Sequence, residues 1–191
     1  ATDAGTGTVN STTILVTADA VVRIDLTPQA SSIVAGVNQS FTATGYDAWN
    51  NVNNSGLSFA TNGSINSSGY FTSTGENTYQ VNATIGSIVN STLVNVTAGS
   101  ITQIDLTPVA TTIAAGVNQS FTALGFDAFG NSNSTGIAFA SNGSINSTGY
   151  FNSTLVGLYS VTASGGSAVN STTVAVTPST AYSVSITGAP T

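Results

Sequence analysis

The sequence of 191 residues contains no cysteine, histidine, methionine or lysine, and its single cation is Arg23. Without these side chains there are no disulfides, no thiolate or imidazole metal ligands, no Schiff-base lysine and no imidazole general base. One basic residue also excludes nucleic-acid binding, because several Lys or Arg side chains are needed to neutralise phosphates. Few catalytic chemistries remain, and we predict that the protein is not an enzyme.

Charge of either sign is scarce. Charged residues make up 4% of the chain, whereas soluble domains have roughly 25%. Hydrophobic residues still reach 40% and Ser, Thr and Asn are abundant, which favours a packed fold over a disordered chain. No apolar run approaches the roughly 18 residues of a membrane span. Polar groups other than charges must therefore keep the surface hydrated.

The sequence repeats with a period of 80 residues. Residues 21–100 align with residues 101–180 without a gap, and 47 of the 80 pairs are identical. The unchanged run GVNQSFTA begins at Gly36 and returns at Gly116. Self-similarity at a fixed period indicates an array of similar domains.

The residues outside these two repeats continue the same register. Residues 9–12 read VNST, as do the residues 80 and 160 positions later, and residues 182–187 resemble the start of each repeat. A longer tandem array and strands exchanged between subunits are both consistent with this pattern. We predict four parts: residues 1–20 as the last strand or strands of a preceding repeat or a donor strand, 21–100 and 101–180 as two β-sandwich repeats, and 181–191 as the first strand of a following repeat or an exchanged strand.

Apolar residues alternate with polar ones at a period of two, as in Phe41, Ala43 and Gly45, and no segment shows sustained helical periodicity. Such short strands, separated by frequent turns over an 80-residue repeat, predict an all-β fold made of β-sandwiches. The inward positions predicted for the last strand of each repeat are Ile14 and Val16, Val94 and Val96, and Val174 and Val176.

The segment from Gly45 to Ser73 and the pattern G-x-Y-x-V-x-A from Gly157 to Ala163 resemble the bacterial immunoglobulin-like repeat. Invasin- and intimin-type surface proteins carry this repeat, as do archaeal surface proteins. The resemblance covers both repeats, although Asn77 replaces the glycine in the first one. It implies tandem immunoglobulin-like β-sandwich domains, and by analogy a role as spacer, stalk or adhesive fibre outside the cell.

The sequence contains 14 Asn-x-Ser/Thr acceptor sequons. With 19 Asn and 58 Ser or Thr in 191 residues, a random order of the same residues would give roughly 6. This enrichment predicts covalent N-glycans, which would hydrate a surface poor in charge. Turn preference of Asn and Ser, copied by duplication, is the alternative explanation. The predicted acceptors are Asn38, Asn53, Asn62, Asn66, Asn82, Asn95, Asn118, Asn133, Asn142, Asn146 and Asn152.

Three further sequons are predicted to be poorer acceptors. Asn10, Asn90 and Asn170 share strand parity with the inward Val and Ile positions, so they could carry sugar only beyond the edge of the sandwich.

Asp47 and Asp127 recur in equivalent Asn-rich loops. Two hypotheses remain for these loops: a Ca²⁺ site built from carboxylate and amide oxygens, or Asx side chains that cap a long turn. Both carboxylates recur at the repeat period, as scaffold residues do, so they do not indicate an acid/base pair. Apart from this Ca²⁺ hypothesis we predict no metal or other cofactor.

Aromatic side chains lie near the same loops, namely Tyr46 and Trp49 in the first repeat and Phe126 and Phe129 in the second. They could form a platform for a sugar or pack in a core or between domains.

The sequence therefore predicts a structural protein, a segment or subunit of a glycosylated filament, fibre or stalk at the cell surface. Neighbouring copies or repeats in a head-to-tail polymer would be its partners. The alternative function is an adhesin module that contacts cells or glycans through its loops, and the loop residues 49–54 and 129–134 do differ between the repeats.

Overall fold

A computed structural model describes residues 11–180 and Gly188, and these residues form strands and no helix. The chain divides into two compact units, and the two sets of strands are described separately. The first set is β1 (Arg23–Thr27), β2 (Ala30–Val34), β3 (Gln39–Ser40), β4 (Thr42–Tyr46), β5 (Ser58–Thr61), β6 (Ser64–Ile65), β7 (Tyr70–Thr72), β8 (Asn77–Ile85) and β9 (Ile88–Thr97).

Each strand of the second set begins and ends 80 residues after its counterpart in the first set. The predicted all-β sandwich class is confirmed. The second set is β10 (Gln103–Thr107), β11 (Ala110–Ala114), β12 (Gln119–Ser120), β13 (Thr122–Phe126), β14 (Ala138–Ser141), β15 (Ser144–Ile145), β16 (Tyr150–Asn152), β17 (Gly157–Gly165) and β18 (Ala168–Thr177).

Each set forms the same three sheets. In the second set, a four-stranded sheet has the order β11-β18-β17-β14, a three-stranded sheet has the order β12-β16-β15, and β10 pairs with β13. β11 runs parallel to β18, whereas the β17–β18 hairpin and the β10–β13 pair are antiparallel. β10 packs against β17 and β18, so the smaller sheets cover one face of the four-stranded sheet.

Alternating burial explains why these sequences form the core. In β9 the side chains of Val94 and Val96 are fully buried, and the residues between them face outward, as period-two alternation requires. The equivalent Val174 and Val176 of β18 are buried against Phe121 and Phe151. The predicted inward faces of β9 and β18 are therefore confirmed.

Hydrogen bonds to main-chain carbonyls connect β9 to the opposite face of the first sandwich. The buried Thr92 Oγ1 donates to the carbonyl of Gln29 at 2.5 Å, and Asn90 Nδ2 donates to the carbonyl of Ile24 at 2.7 Å. Thr172 and Asn170 make the same two bonds to Val109 and Ile104. Each polar side chain satisfies a carbonyl that would otherwise be unpaired near the core.

A glycine is required where β3 meets the turn before β7. Gly69 has a φ of +81°. Its N–H donates to the carbonyl of Asn66 at 3.0 Å, and its carbonyl accepts the N–H of Phe41 at 2.8 Å. A Cβ at this position would overlap the carbonyl oxygen of Phe41. Gly149 repeats the arrangement in the second sandwich.

Ile14 and Val16 differ from the prediction. Their side chains are 83% and 85% exposed, and residues 11–22 are not in a strand. Val94 and Val96 are buried because β9 belongs to a four-stranded sheet whose inward face is covered within the sandwich, whereas no described strand pairs with residues 11–17. Of the predicted end strands, residues 1–10 and most of residues 181–191 lie outside the described part of the chain.

Candidate functional site

The predicted Asp and Asn loops form one structure in each sandwich, which we call the clamp. It consists of Asp47, Asn51 and Asn53 in the first sandwich, and of Asp127, Asn131 and Asn133 in the second. Each clamp follows the end of the strand paired with β1 or β10. It binds the main chain of the segment that precedes the sandwich.

In the first sandwich the carboxylate of Asp47 accepts four hydrogen bonds. Oδ1 accepts the backbone N–H groups of Trp49 at 2.9 Å and Asn51 at 2.8 Å, and Oδ2 accepts the Asn51 side-chain amide at 3.0 Å. The fourth donor is the backbone N–H of Asp19, also at 3.0 Å from Oδ2. The Asp47 side chain is only 2% exposed, so its charge is stabilised by these donors rather than by water.

Both polar main-chain groups of Asp19 form hydrogen bonds with the clamp. Its N–H binds Asp47, and its carbonyl accepts a hydrogen bond from Asn53 Nδ2 at 2.9 Å. Both contacts use main-chain atoms of Asp19. The clamp therefore restrains the direction of the chain at this residue without depending on its side chain.

The second clamp has the same connections. Asp127 Oδ1 accepts the N–H groups of Phe129 and Asn131, and Oδ2 accepts the Asn131 side-chain amide and the N–H of Gly99, all between 2.8 and 2.9 Å. Asn133 Nδ2 donates to the carbonyl of Gly99 at 2.7 Å. Asp19 and Gly99 are 80 residues apart and share no side-chain chemistry, which shows that the clamp recognises backbone.

A glycine next to each clamp allows the loop to close. The backbone N–H of Asn53 donates to the carbonyl of Gly45 at 2.9 Å, and Tyr46 forms an isolated bridge with Val52. A Cβ at Gly45 would lie 2.5 Å from the carbonyl oxygen of Asn53. The loop therefore folds back along the strand only because this position has no side chain.

The hydrogen bonds shift the acidity of both carboxyls. The side-chain amide of Asn51, followed by the N–H groups of Asp19, Asn51 and Trp49, lowers the pKa of Asp47 to about 2. Burial raises the pKa of Asp127, but the donors from Asn131, Gly99 and Phe129 outweigh burial and lower it to about 2. Both carboxylates are thus ionised at any pH well above 2.

The clamp geometry agrees with the capping hypothesis. Each carboxylate oxygen of Asp47 and of Asp127 accepts two N–H donors. These donors use the oxygen lone pairs that a Ca²⁺ ion would need as ligands. Within residues 11–180, no group of three or more His, Cys, Asp or Glu side chains lies together. Neither observation tests Ca²⁺ binding, which stays a prediction.

The sequon side chains fall into two groups. In the first group the acceptor nitrogen Nδ2 donates no hydrogen bond within the described residues, and several of these side chains use only Oδ1, as Asn66 does for the N–H groups of Ser68 and Tyr70. The first group is Asn38, Asn62, Asn66, Asn82, Asn95, Asn118, Asn142 and Asn146.

In the second group Nδ2 itself donates a hydrogen bond to the protein. Asn53 and Asn133 use it in the clamps, and Asn90 and Asn170 use it to bind β1 and β10. Asn152 Nδ2 donates to Asn118 Oδ1 at 2.7 Å. All five are half-buried. Asn10 lies outside the described residues.

One cluster is present in the first sandwich only. Arg23 pairs with Asp25 at 2.5 Å, lies over the ring of Tyr46 at 4.3 Å from its centroid, and donates to Asn50 Oδ1 at 3.3 Å. The neighbouring Trp49 is 79% exposed. The sequence identified Trp49 and Tyr46 as a possible platform, but gave no signal that Arg23 reaches their loop.

Comparisons with known proteins do not assign a family to this chain. No protein-family model and no curated protein sequence matches the chain, so the resemblance to the bacterial immunoglobulin-like repeat stays a prediction. Similar solved structures include the surface layer protein SbsC, domains 1–6, at 17% identity over 85% of this chain, with a TM-score of 0.45. The four N-terminal Ig domains of Dscam1 isoform 4.4 match at 10% identity over 84% of this chain, with a TM-score of 0.48.

The chain spans 29% of the SbsC structure and 47% of the Dscam1 structure. At these identities and TM-scores the likeness assigns neither a family nor a function to this chain. No helix in the described residues is long and apolar enough to cross a membrane.

Proposed function

We propose that the chain is a non-catalytic structural segment of an extracellular surface filament, fibre or stalk, built from consecutive sandwiches and covered by N-glycans. The observation that carries the proposal is the clamp, which occurs in both sandwiches and binds the incoming main chain at Asp19 or Gly99. A device of this kind lets sandwiches follow one another along a chain while each preserves its own fold.

The composition of the surface supports the glycan coat. The outward side chains of the strands are mostly Ser, Thr and Asn, and exposed charges are few. Eight sequons leave their acceptor nitrogen without a hydrogen bond to the described residues, as Asn66 and Asn95 illustrate. N-glycans at such positions would hydrate the surface without disturbing a contact of the fold. The proposed role requires no metal or other cofactor.

The proposal is tested on the cell surface. Antibodies raised against the chain should label intact cells, along fibres or an ordered surface layer in electron micrographs. The mass of the native protein should fall by several glycans after chemical deglycosylation. Labelling only after permeabilisation would overturn the extracellular role, and an unchanged mass would overturn the coat.

Glycopeptide mapping gives a position-specific prediction. We expect sugar at sequons with a free Nδ2, such as Asn38, Asn66 and Asn146, and little or none at Asn53 and Asn133, where a sugar would displace the clamp contacts. Because Arg23 is the only tryptic site, chymotrypsin is the suitable protease. Equal occupancy in the two groups would show that the folded structure does not select the acceptors.

A further inference from the structure

We infer that the first sandwich has a binding site for neutral sugars, formed by Trp49 with Arg23, Asp25, Tyr46 and Asn50. This inference develops the adhesin alternative. It does not require the proposed filament, so that its failure would leave the structural proposal standing.

The cluster provides an exposed aromatic surface beside groups that are already oriented. Trp49 is 79% exposed, although its backbone N–H is fixed by Asp47. Arg23 is held by Asp25 and Tyr46 and reaches Asn50, the residue that follows Trp49. Polar side chains fixed next to an aromatic ring lose little conformational freedom when a ligand binds.

The second sandwich shows that the fold does not need these groups. It has the same strands with Gln103, Phe126, Phe129 and Gly130 at the positions of Arg23, Tyr46, Trp49 and Asn50. At this place the first sandwich has a guanidinium where the second has the Gln103 amide. It also has a phenol hydroxyl, an indole N–H and an amide where the second has Phe126, Phe129 and Gly130. Drift would not be expected to add a polar group at each of three neighbouring positions, whereas recognition of a polar ligand requires such groups.

Asn50 adds an observation from the backbone. It has φ of +63° and is the only non-glycine with positive φ among the described residues, while Gly130 occupies the equivalent position. Asparagine tolerates this conformation better than other side chains but does not reach the freedom of glycine. Its amide therefore replaces a better-suited glycine at the position where Arg23 donates to it.

The chemistry of the cluster favours a neutral hexose. A pyranose has a face of C–H groups that can lie on the indole, and hydroxyls at its edge that can bind both donors and acceptors. Asp25 already neutralises Arg23, and the chain has a net charge of −6, so an anionic sugar would be repelled. The hydroxyls would be bound by Asp25 as acceptor, Arg23 as donor and Asn50 as either.

The single tryptophan makes the site measurable. Trp49 is the only Trp in the chain, so its fluorescence reports this site alone. We expect at least one of maltohexaose, cellohexaose and mannohexaose to give a saturable change in fluorescence with the unglycosylated chain, and polygalacturonate to give none. The absence of saturation by all three in the millimolar range, or tighter binding of polygalacturonate, would overturn the inference.

The second sandwich provides matched substitutions. Arg23→Gln combined with Asn50→Gly copies Gln103 and Gly130, keeps Trp49 as the reporter, and should weaken binding at least tenfold. Trp49→Phe copies Phe129 and removes the fluorescent reporter, so its binding is measured by isothermal titration calorimetry against the wild-type chain. We expect the heat of binding seen with the wild-type chain to be lost. Circular dichroism should show both variants folded, because the second sandwich folds with the same residues. Binding by these variants at wild-type affinity would contradict the assignment.

Discussion

The two sandwiches share their strands, their core and their clamps but differ in the residues around Trp49. All strand boundaries, the buried Phe pairs and both clamps recur at an offset of 80 residues. Around Trp49, by contrast, the first sandwich has polar groups that the second replaces with Gln, Phe and Gly. The comparison separates residues that make the fold from residues that the fold merely supports, since anything absent from one sandwich cannot be required by the common architecture.

The largest expected effect concerns the core. Phe71 and Phe151 are fully buried and pack on Tyr79 and Tyr159, with ring centroids 5.4 Å apart in both cases. Replacing either Phe by Ala leaves a cavity, and we expect each change to lower the free energy of unfolding of its own sandwich by about 3–5 kcal/mol. Urea unfolding combined with hydrogen exchange, read separately for each sandwich, measures this loss.

Tyr70→Ala and Tyr150→Ala are the matched controls, because these neighbours are 54% and 55% exposed. Their effect should stay within about 0.5 kcal/mol. A much smaller loss for Phe151→Ala than for Phe71→Ala would show that the two cores are not equivalent despite their common strands.

The clamps should make the stability of both sandwiches depend on acid pH. The folded pKa of Asp47 and of Asp127 is about 2, below the ordinary value of 3.8. A lowered folded pKa gives stability that is complete above the ordinary pKa and is lost as the pH falls through the folded one. We therefore expect a constant melting temperature from pH 7 to about pH 4 and a decline towards pH 2.

Asp127→Asn should lower the melting temperature of the second sandwich at neutral pH and flatten its decline in acid, while the first sandwich keeps the full decline. Asp47→Asn should do the reverse. Asp105→Asn, at an exposed residue of β10 that accepts only the Gln103 side chain, is the control for removing a carboxylate. A decline that survives in the double clamp variant would contradict a role of these two groups.

The smallest expected effect distinguishes strain from function at Asn50. Gly130→Asn should destabilise the second sandwich by less than about 1 kcal/mol, and Gly130→Ala by about 1–2 kcal/mol, because Ala is less tolerant of positive φ. Asn50→Gly should change stability by about 0.5 kcal/mol or less. Equal losses for Asn and Ala at position 130, measured by urea unfolding, would show that asparagine tolerates this positive-φ position no better than alanine does.

Much of the fold could be predicted because period-two alternation reports burial directly. Phe41, Val94 and Val174 lie inward as predicted. The same pattern failed at Ile14 and Val16, because alternation records which face a strand could bury and not whether neighbouring strands are there to cover it. The order of strands within the sheets was not predictable, since pairing depends on contacts between residues far apart in the chain.

The candidate site was predictable only in part. Asp47 and Asp127 stood out because a carboxylate in an Asn-rich loop is a common cap for a turn. Their partners Asp19 and Gly99 carried no signal, because the clamp binds peptide groups that every non-proline residue has. Arg23 was noticed as the only cation, but its distance of 27 residues from Asn50 concealed their contact.

The indifference of the clamp to side chains has a consequence for how such a chain can evolve. Since only an N–H and a carbonyl are bound, the preceding residue can mutate freely, except to proline, without weakening the clamp. A duplicated copy placed behind any sandwich would bring its own clamp and find a suitable peptide group already present. Recombination between such repeats could therefore lengthen or shorten the protein without compensating mutations at the preceding residue, so that structural compatibility would not limit the number of repeats.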